Sequence, residues 1–131
     1  MTRAELIAAL EAATGPSREL DAEIAALMGL AVEVQQDEML DVLWKHPNGK
    51  VRCDPPRFTA SLDAAMTLMQ EGTAIERLSW WPRCAPGLMA SVDLLATDEN
   101  GFGIPSRRVR NVQAANPALA ICIAALKARG E

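Results

Sequence analysis

The chain has no tyrosine, two phenylalanines and a single histidine among 131 residues. One histidine cannot form a histidine-based metal cluster. A general base also needs an orienting partner and a nucleophile, and no spacing in the sequence supplies them for His46. Lying beside Pro47-Asn48-Gly49, His46 reads as a solvated turn residue. The three cysteines, Cys53, Cys84 and Cys122, stand far apart with no CxxC pair, which argues against a structural zinc site. Their odd number favours reduced thiols in a cytosolic setting. No apolar run reaches transmembrane length, and the opening MTRAELIAAL is too short and too charged for a signal peptide. P-loop, HExxH and GxSxG motifs are absent. The GFG at residues 101–103 lacks the helix start and further glycine of a dinucleotide fingerprint, and Asn100-Gly101 gives it turn chemistry instead. No cofactor and no metal are implied. An excess of positive charge is also lacking: the net charge is −4, which disfavours non-specific nucleic-acid binding.

What remains is ordinary globular material, with half the residues apolar and 23% charged. The length suits one domain over residues 1–131. A chain of this size buries roughly two thirds of its unfolded surface, so a core forms without staples. Leu6, Ala9, Leu10 and Ala13 recur at helical spacing, and Gly15-Pro16 stop that first helix. Ser17 is a good N-cap for a second helix with the stripe Leu20, Ile24, Leu27, Met28 and a stop at Gly29. Its carboxylates Glu19, Asp21 and Glu23 read as a solvated face that complements the helix dipole.

Residues 30–40 fit a short strand or a loop equally. A hairpin is expected over residues 41–53, turning at Pro47-Asn48-Gly49, where Asn-Gly tolerates positive φ. A third helix follows within FTASLDAAMTLMQEG, capped by Thr59 or Ser61 and ended by Gly72. Strands are expected at residues 74–81 and 88–96, and within 106–112, where Pro105 forces a later start or an edge position. Asn116 caps a final helix with Pro117 at its first position. Leu119, Cys122, Ile123 and Leu126 form its stripe, and Ile121 and Ala125 add a second apolar flank, so it should be well buried. Short joins between strands favour antiparallel pairing. The expectation is an α+β domain: a three-layer α/β/α sandwich with a small, mostly antiparallel sheet and about four helices.

Trp80 and Trp81 are adjacent, so in a strand they point to opposite faces. With plain alternation, Ala74, Glu76, Leu78 and Trp80 share one face, and Ile75, Arg77, Ser79 and Trp81 the other. Helices on both sides of the sheet would pack both indoles. The alternative leaves Trp81 outside as a partner anchor flanked by Arg77 and Arg83, since Trp and Arg are typical hot-spot residues. The basic group Arg107, Arg108 and Arg110 either grips an anionic ligand or acidic partner, or protects an edge strand by charge. Cys122 reads as core, and Cys84 as a thiol in a proline-rich loop with no activating motif.

Three stretches in this order, GPSRELDAEIAALMG, PPRFTASLDAAMTLM and NPALAICIAALKAR, resemble the phage ABA-sandwich domain family, small proteins encoded by phages and prophages. The resemblance covers about half the chain, mostly its helices. It implies an α/β/α sandwich, a phage or prophage origin and a bacterial cytoplasmic setting. It carries across no catalytic residue and no cofactor. Within the three stretches, Ser17 and Asn116 read as caps, and Leu20, Leu62, Leu119 and Leu126 as core. The functional expectation is a non-catalytic protein that binds a host or phage macromolecule, as a counter-defence or regulatory factor. A competing expectation is a binder of, or minor enzyme acting on, a small anionic ligand such as a nucleotide, with Arg107, Arg108 and Trp81 lining its pocket. A third is a virion accessory protein. A homodimer through an exposed edge strand is permitted, and neither a membrane nor nucleic acid is expected as a partner.

Overall fold

A computed structural model describes residues 2–36, 39–46, 49–70, 72–80, 90–100 and 102–128. The order of elements is α1 (Arg3–Ala12), α2 (Arg18–Leu27), β1 (Ala31–Gln36), β2 (Met39–Lys45), β3 (Val51–Arg52), α3 (Leu62–Met66), β4 (Thr73–Trp80), β5 (Ala90–Thr97), β6 (Gly103–Ala114) and α4 (Pro117–Ala128). This is an α+β chain with four helices and antiparallel strands, as expected. Side-chain acceptors start all four helices. Thr2 accepts the Glu5 N–H, Ser17 that of Leu20, Ser61 that of Ala64 and Asn116 that of Leu119. Gly29, at φ +72°, ends α2 in a left-handed conformation that glycine adopts without penalty, and the Leu30 N–H returns to the Ala25 carbonyl at 3.0 Å.

The strands differ from expectation in number and grouping. They form two sheets, β1-β2-β3 and β4-β5-β6, rather than one. The ambiguous stretch 30–40 contains β1, which pairs antiparallel with β2 from Ala31↔Trp44 to Gln36↔Met39. β6 is longer than expected and includes Pro105, as an edge strand can. Its register against β5 shifts between Leu95 and Thr97, opposite this segment.

A bulge settles which residues of β4 face the core. Ile75 pairs with Leu94, but the next pair is Arg77 with Asp93, so Glu76 is an extra residue. Plain alternation placed Ile75 with Arg77. The bulge instead puts Ile75 and Leu78 on the face of Val92 and Leu94. That face carries the core: Ala90, Val92, Leu94, Val112 and Ala114 are buried. α4 covers it, touching β4, β5 and β6, and α1 adds contacts to β6. Nine consecutive residues of α4, Ala118 to Leu126, are buried, so the expectation of a well-buried last helix is met.

The opposite face of β4–β6 has another character. Arg77, Glu76, Arg110 and Gln113 are exposed there, and Ser91, Asp93 and Leu95 are half-buried. Among the described residues, the helix contacts of this sheet lie with α4 and α1 on the core face, and a helix layer on its other face is not confirmed. Gly103 is constrained at this end of the sheet, because a Cβ there would run into the Leu95 side chain. Among the described residues, no helix is long and apolar enough to cross a membrane.

Candidate functional site

Folding brings the three stretches that carry the family resemblance to one point. Asp21 in α2 is 1% exposed, not on a solvated face. Its Oδ1 accepts the Thr59 N–H at 2.8 Å and the Thr59 hydroxyl at 2.7 Å, and its Oδ2 accepts from the Arg18 guanidinium at 2.7 Å. Thr59 is fully buried and is not the cap of α3; Ser61 is. The Thr59 hydroxyl oxygen accepts the Ser17 N–H at 2.9 Å, and its carbonyl accepts from Asn116 Nδ2 at 3.3 Å. The Cys122 thiol donates to the Phe58 carbonyl at 3.3 Å. Residues Ser17, Arg18 and Asp21 thus belong to the first stretch, Phe58 and Thr59 to the second, and Asn116 and Cys122 to the third. They form one buried hydrogen-bond hub that ties α2 and α4 to the segment before α3.

The hub is structural. Asp21 has a donor on each carboxylate oxygen, and burial without such donors would be costly. The sequence did contain a signal for it. Asp21, Ile24, Ala25 and Met28 lie at i, i+3, i+4 and i+7, so the acid sits inside the apolar stripe rather than opposite it.

Burial, reinforced by the nearby Asp21 carboxylate, pushes the Cys122 thiol far above the usual cysteine range. Cys122 is therefore an inert core thiol, whereas Cys53 is exposed. Cys84 lies outside the described residues. With Cys84 replaced by serine, the native protein is expected to release one fast equivalent of thiol to an aromatic disulfide reagent. The second should appear only on unfolding. Two fast equivalents would mean that the core around Cys122 opens readily.

The expected binding residues gather elsewhere, on the outer face of β4–β6. Arg77 stands directly opposite Asp93 in the register, and Arg108 opposite Leu95. Arg108 pairs with Glu76 at 3.0 Å, across from β6 to β4. Its Nε is buried and has no hydrogen-bond partner. Glu76, Arg77, Asp93 and Arg110 line a shallow cleft of about 320 Å³. Among the described residues, neither Arg77 nor Arg110 has an ion pair. Both acids have partners: Glu76 holds Arg108, and Asp93 is also engaged. The chemistry left open in this cleft is two planar guanidinium forks, suited to carboxylate or phosphate oxygens.

Arg77, Arg108 and Arg110 are thus brought together. Trp81 and Arg83 lie outside the described residues, as does the side chain of Arg107. Sequence reasoning missed Glu76 and Asp93, whose signal was a charge placed inside each of two otherwise strand-like runs. His46 is half-buried rather than solvated, with its ring Nε2 at 2.8 Å from the Asp54 carbonyl. Among the described residues, no group of three or more His, Cys, Asp or Glu could hold a metal ion. No family model, no curated protein and no solved structure matches the chain.

Proposed function

We propose that this chain is a non-catalytic binding protein of phage or prophage origin, acting in the bacterial cytoplasm on a host or phage macromolecule, as a counter-defence or regulatory factor. The outer face of β4–β6 is its contact surface. The observation that carries this reading is the cleft in which, among the described residues, Arg77 and Arg110 have no ion pair while Glu76 and Asp93 are engaged. Arginine on a solvent-facing sheet is a frequent interface hot spot, because one side chain supplies charge, a planar stacking surface and several donors. The origin is supported by the ordered resemblance of the three helical stretches to the phage ABA-sandwich family.

Immobilised protein should retain a stoichiometric macromolecule from a bacterial host lysate. The double variant Arg77→Glu/Arg110→Glu should fold normally and lose it. At about 2 kcal/mol for each hot-spot arginine, the double reversal weakens binding roughly a thousandfold. Equal retention by both proteins, or retention by neither, would remove the assignment.

The size of the cleft also supports a second reading, a small anionic ligand such as a nucleotide, held by the same two guanidinium groups. A thermal-shift screen with nucleotides distinguishes the two: a saturable rise in Tm that the double variant lacks favours the small ligand.

A further inference from the structure

A second cavity shares no lining residue with the arginine cleft. It measures about 390 Å³ and opens where the end of α2, the β2–β3 turn and the segments flanking α3 meet. This volume is at the small end of the range for ligand pockets. Its floor is apolar, formed by Met28, Leu30, Phe58 and Leu68. Lys45 and His46 stand in its wall.

The two polar residues are held differently. Lys45 is anchored by its backbone, whose N–H donates to the Leu30 carbonyl at 2.9 Å. Its side chain is exposed, and among the described residues its ammonium has no ion pair. His46 is fixed on both sides. Its backbone N–H donates to the Lys50 carbonyl at 2.9 Å, its carbonyl accepts the Gly49 N–H at 2.9 Å, and its ring Nε2 sits 2.8 Å from the Asp54 carbonyl. A carbonyl only accepts, so Nε2 carries a proton and the ring is held in one orientation. The cavity therefore combines an apolar floor, a cation with no ion pair among the described residues and a fixed imidazole.

We propose that this cavity binds a small amphipathic carboxylate, with its hydrocarbon body on Phe58, Leu68, Leu30 and Met28 and its head group ion-paired to Lys45. A single ammonium matches one carboxylate charge. A phosphate monoester, more highly charged and strongly hydrated, would leave charge unpaired beside apolar walls. A bare hydrocarbon would leave the cation unused.

Because His46 is the only histidine in the chain, its ring proton signals report on this cavity without assignment ambiguity. Octanoate, octylamine and octan-1-ol are the probes, titrated into the full chain and followed by these signals. Octanoate should give a saturable shift and bind roughly tenfold more tightly than octylamine or octan-1-ol, the worth of one charge-assisted hydrogen bond. Lys45→Gln, an exposed change that should leave the fold intact, should erase that advantage. Lys45→Glu should transfer it to octylamine. The absence of a saturable shift, equal binding of the three probes, or an unchanged preference in Lys45→Gln would each overturn the proposal. The Arg77→Glu/Arg110→Glu variant should bind octanoate like the wild type, so this site stands or falls separately from the arginine cleft.

Discussion

Replacing Asp21 by alanine is expected to lower the unfolding free energy by about 3–4 kcal/mol, the combined cost of a buried donor that loses its charged acceptor and of the vacated volume. The carboxylate is 1% exposed and receives three hydrogen bonds, two from Thr59 and one from Arg18. Without it the Thr59 N–H is left buried with no acceptor, and an unsatisfied buried donor costs about 1–3 kcal/mol by itself. The Thr59 hydroxyl has an escape, because the Ser17 carbonyl lies 3.1 Å away. Arg18 also loses little, since its side chain is 46% exposed and its other nitrogen bonds the Pro55 carbonyl. Most of the loss therefore comes from Thr59 and the vacated volume. Asp21→Asn should be intermediate: its carbonyl oxygen still serves Thr59, but its amide meets the Arg18 guanidinium donor to donor. Arg18→Ala should cost less than Asp21→Ala, because Thr59 keeps its acceptor and only Oδ2 loses a donor, on the side where Arg18 is itself half exposed. Urea unfolding of the three variants checks this. With a slope of about 1–3 kcal/mol per molar, Asp21→Ala should move the midpoint by about 2 M. A shift below a quarter of that would show that the hub is not closed to water.

The hub also explains how much of this fold was legible in the sequence. Caps and stops are local, and they were readable: Ser17, Asn116 and Gly29 act where short-range chemistry puts them. The spacing of Leu119, Cys122, Ile123 and Leu126 announced a buried helix, and it is buried. Thr59 and Ser61 are indistinguishable as caps in the sequence, because a threonine before a helix satisfies local capping rules as well as a serine does. Only the approach of Asp21, 38 residues away, decides that Thr59 turns inward. The bulge at Glu76 was invisible for a similar reason. An extra residue in one strand exists only relative to its partner, and alternation within β4 alone assigns Ile75 to the wrong face.

The arginine cleft was half legible. Arg77, Arg108 and Arg110 were conspicuous as charge on strand-like segments, and the β4–β5–β6 register carries them to one surface. Glu76 and Asp93 became part of the site only through pairing across strands. A charge inside a strand-like run marks each of them locally, but which arginine each acid meets is decided only by the register between strands. The three stretches that support the family resemblance, by contrast, converge on a structural hub on a different part of the fold.

The same reasoning makes α4 the least tolerant element of the molecule. Ala124 has no exposed surface, and its helix touches α1, α3 and all three strands of the β4–β6 sheet. Ala124→Glu adds four side-chain heavy atoms beyond Cβ in a place with no gap, and overpacking alone costs about 1–3 kcal/mol. It also buries a carboxyl group. Kept ionised, the group pays several kcal/mol of desolvation without a partner; protonated, it still leaves polar oxygens against hydrocarbon. The combined loss should exceed about 4 kcal/mol, a large share of the 5–15 kcal/mol that holds a typical domain together. The variant should be largely unfolded at 37 °C by far-UV circular dichroism. Ala124→Ser separates volume and charge from mere polarity. Its hydroxyl is small and can bond back to the Ala120 carbonyl one turn earlier, so its cost should stay near 1 kcal/mol, with Tm falling by only a few degrees. If the glutamate variant instead melts within a few degrees of the serine variant, α4 has a free side, and the helix cannot be the enclosed centre on which both the hub and the sheet rest.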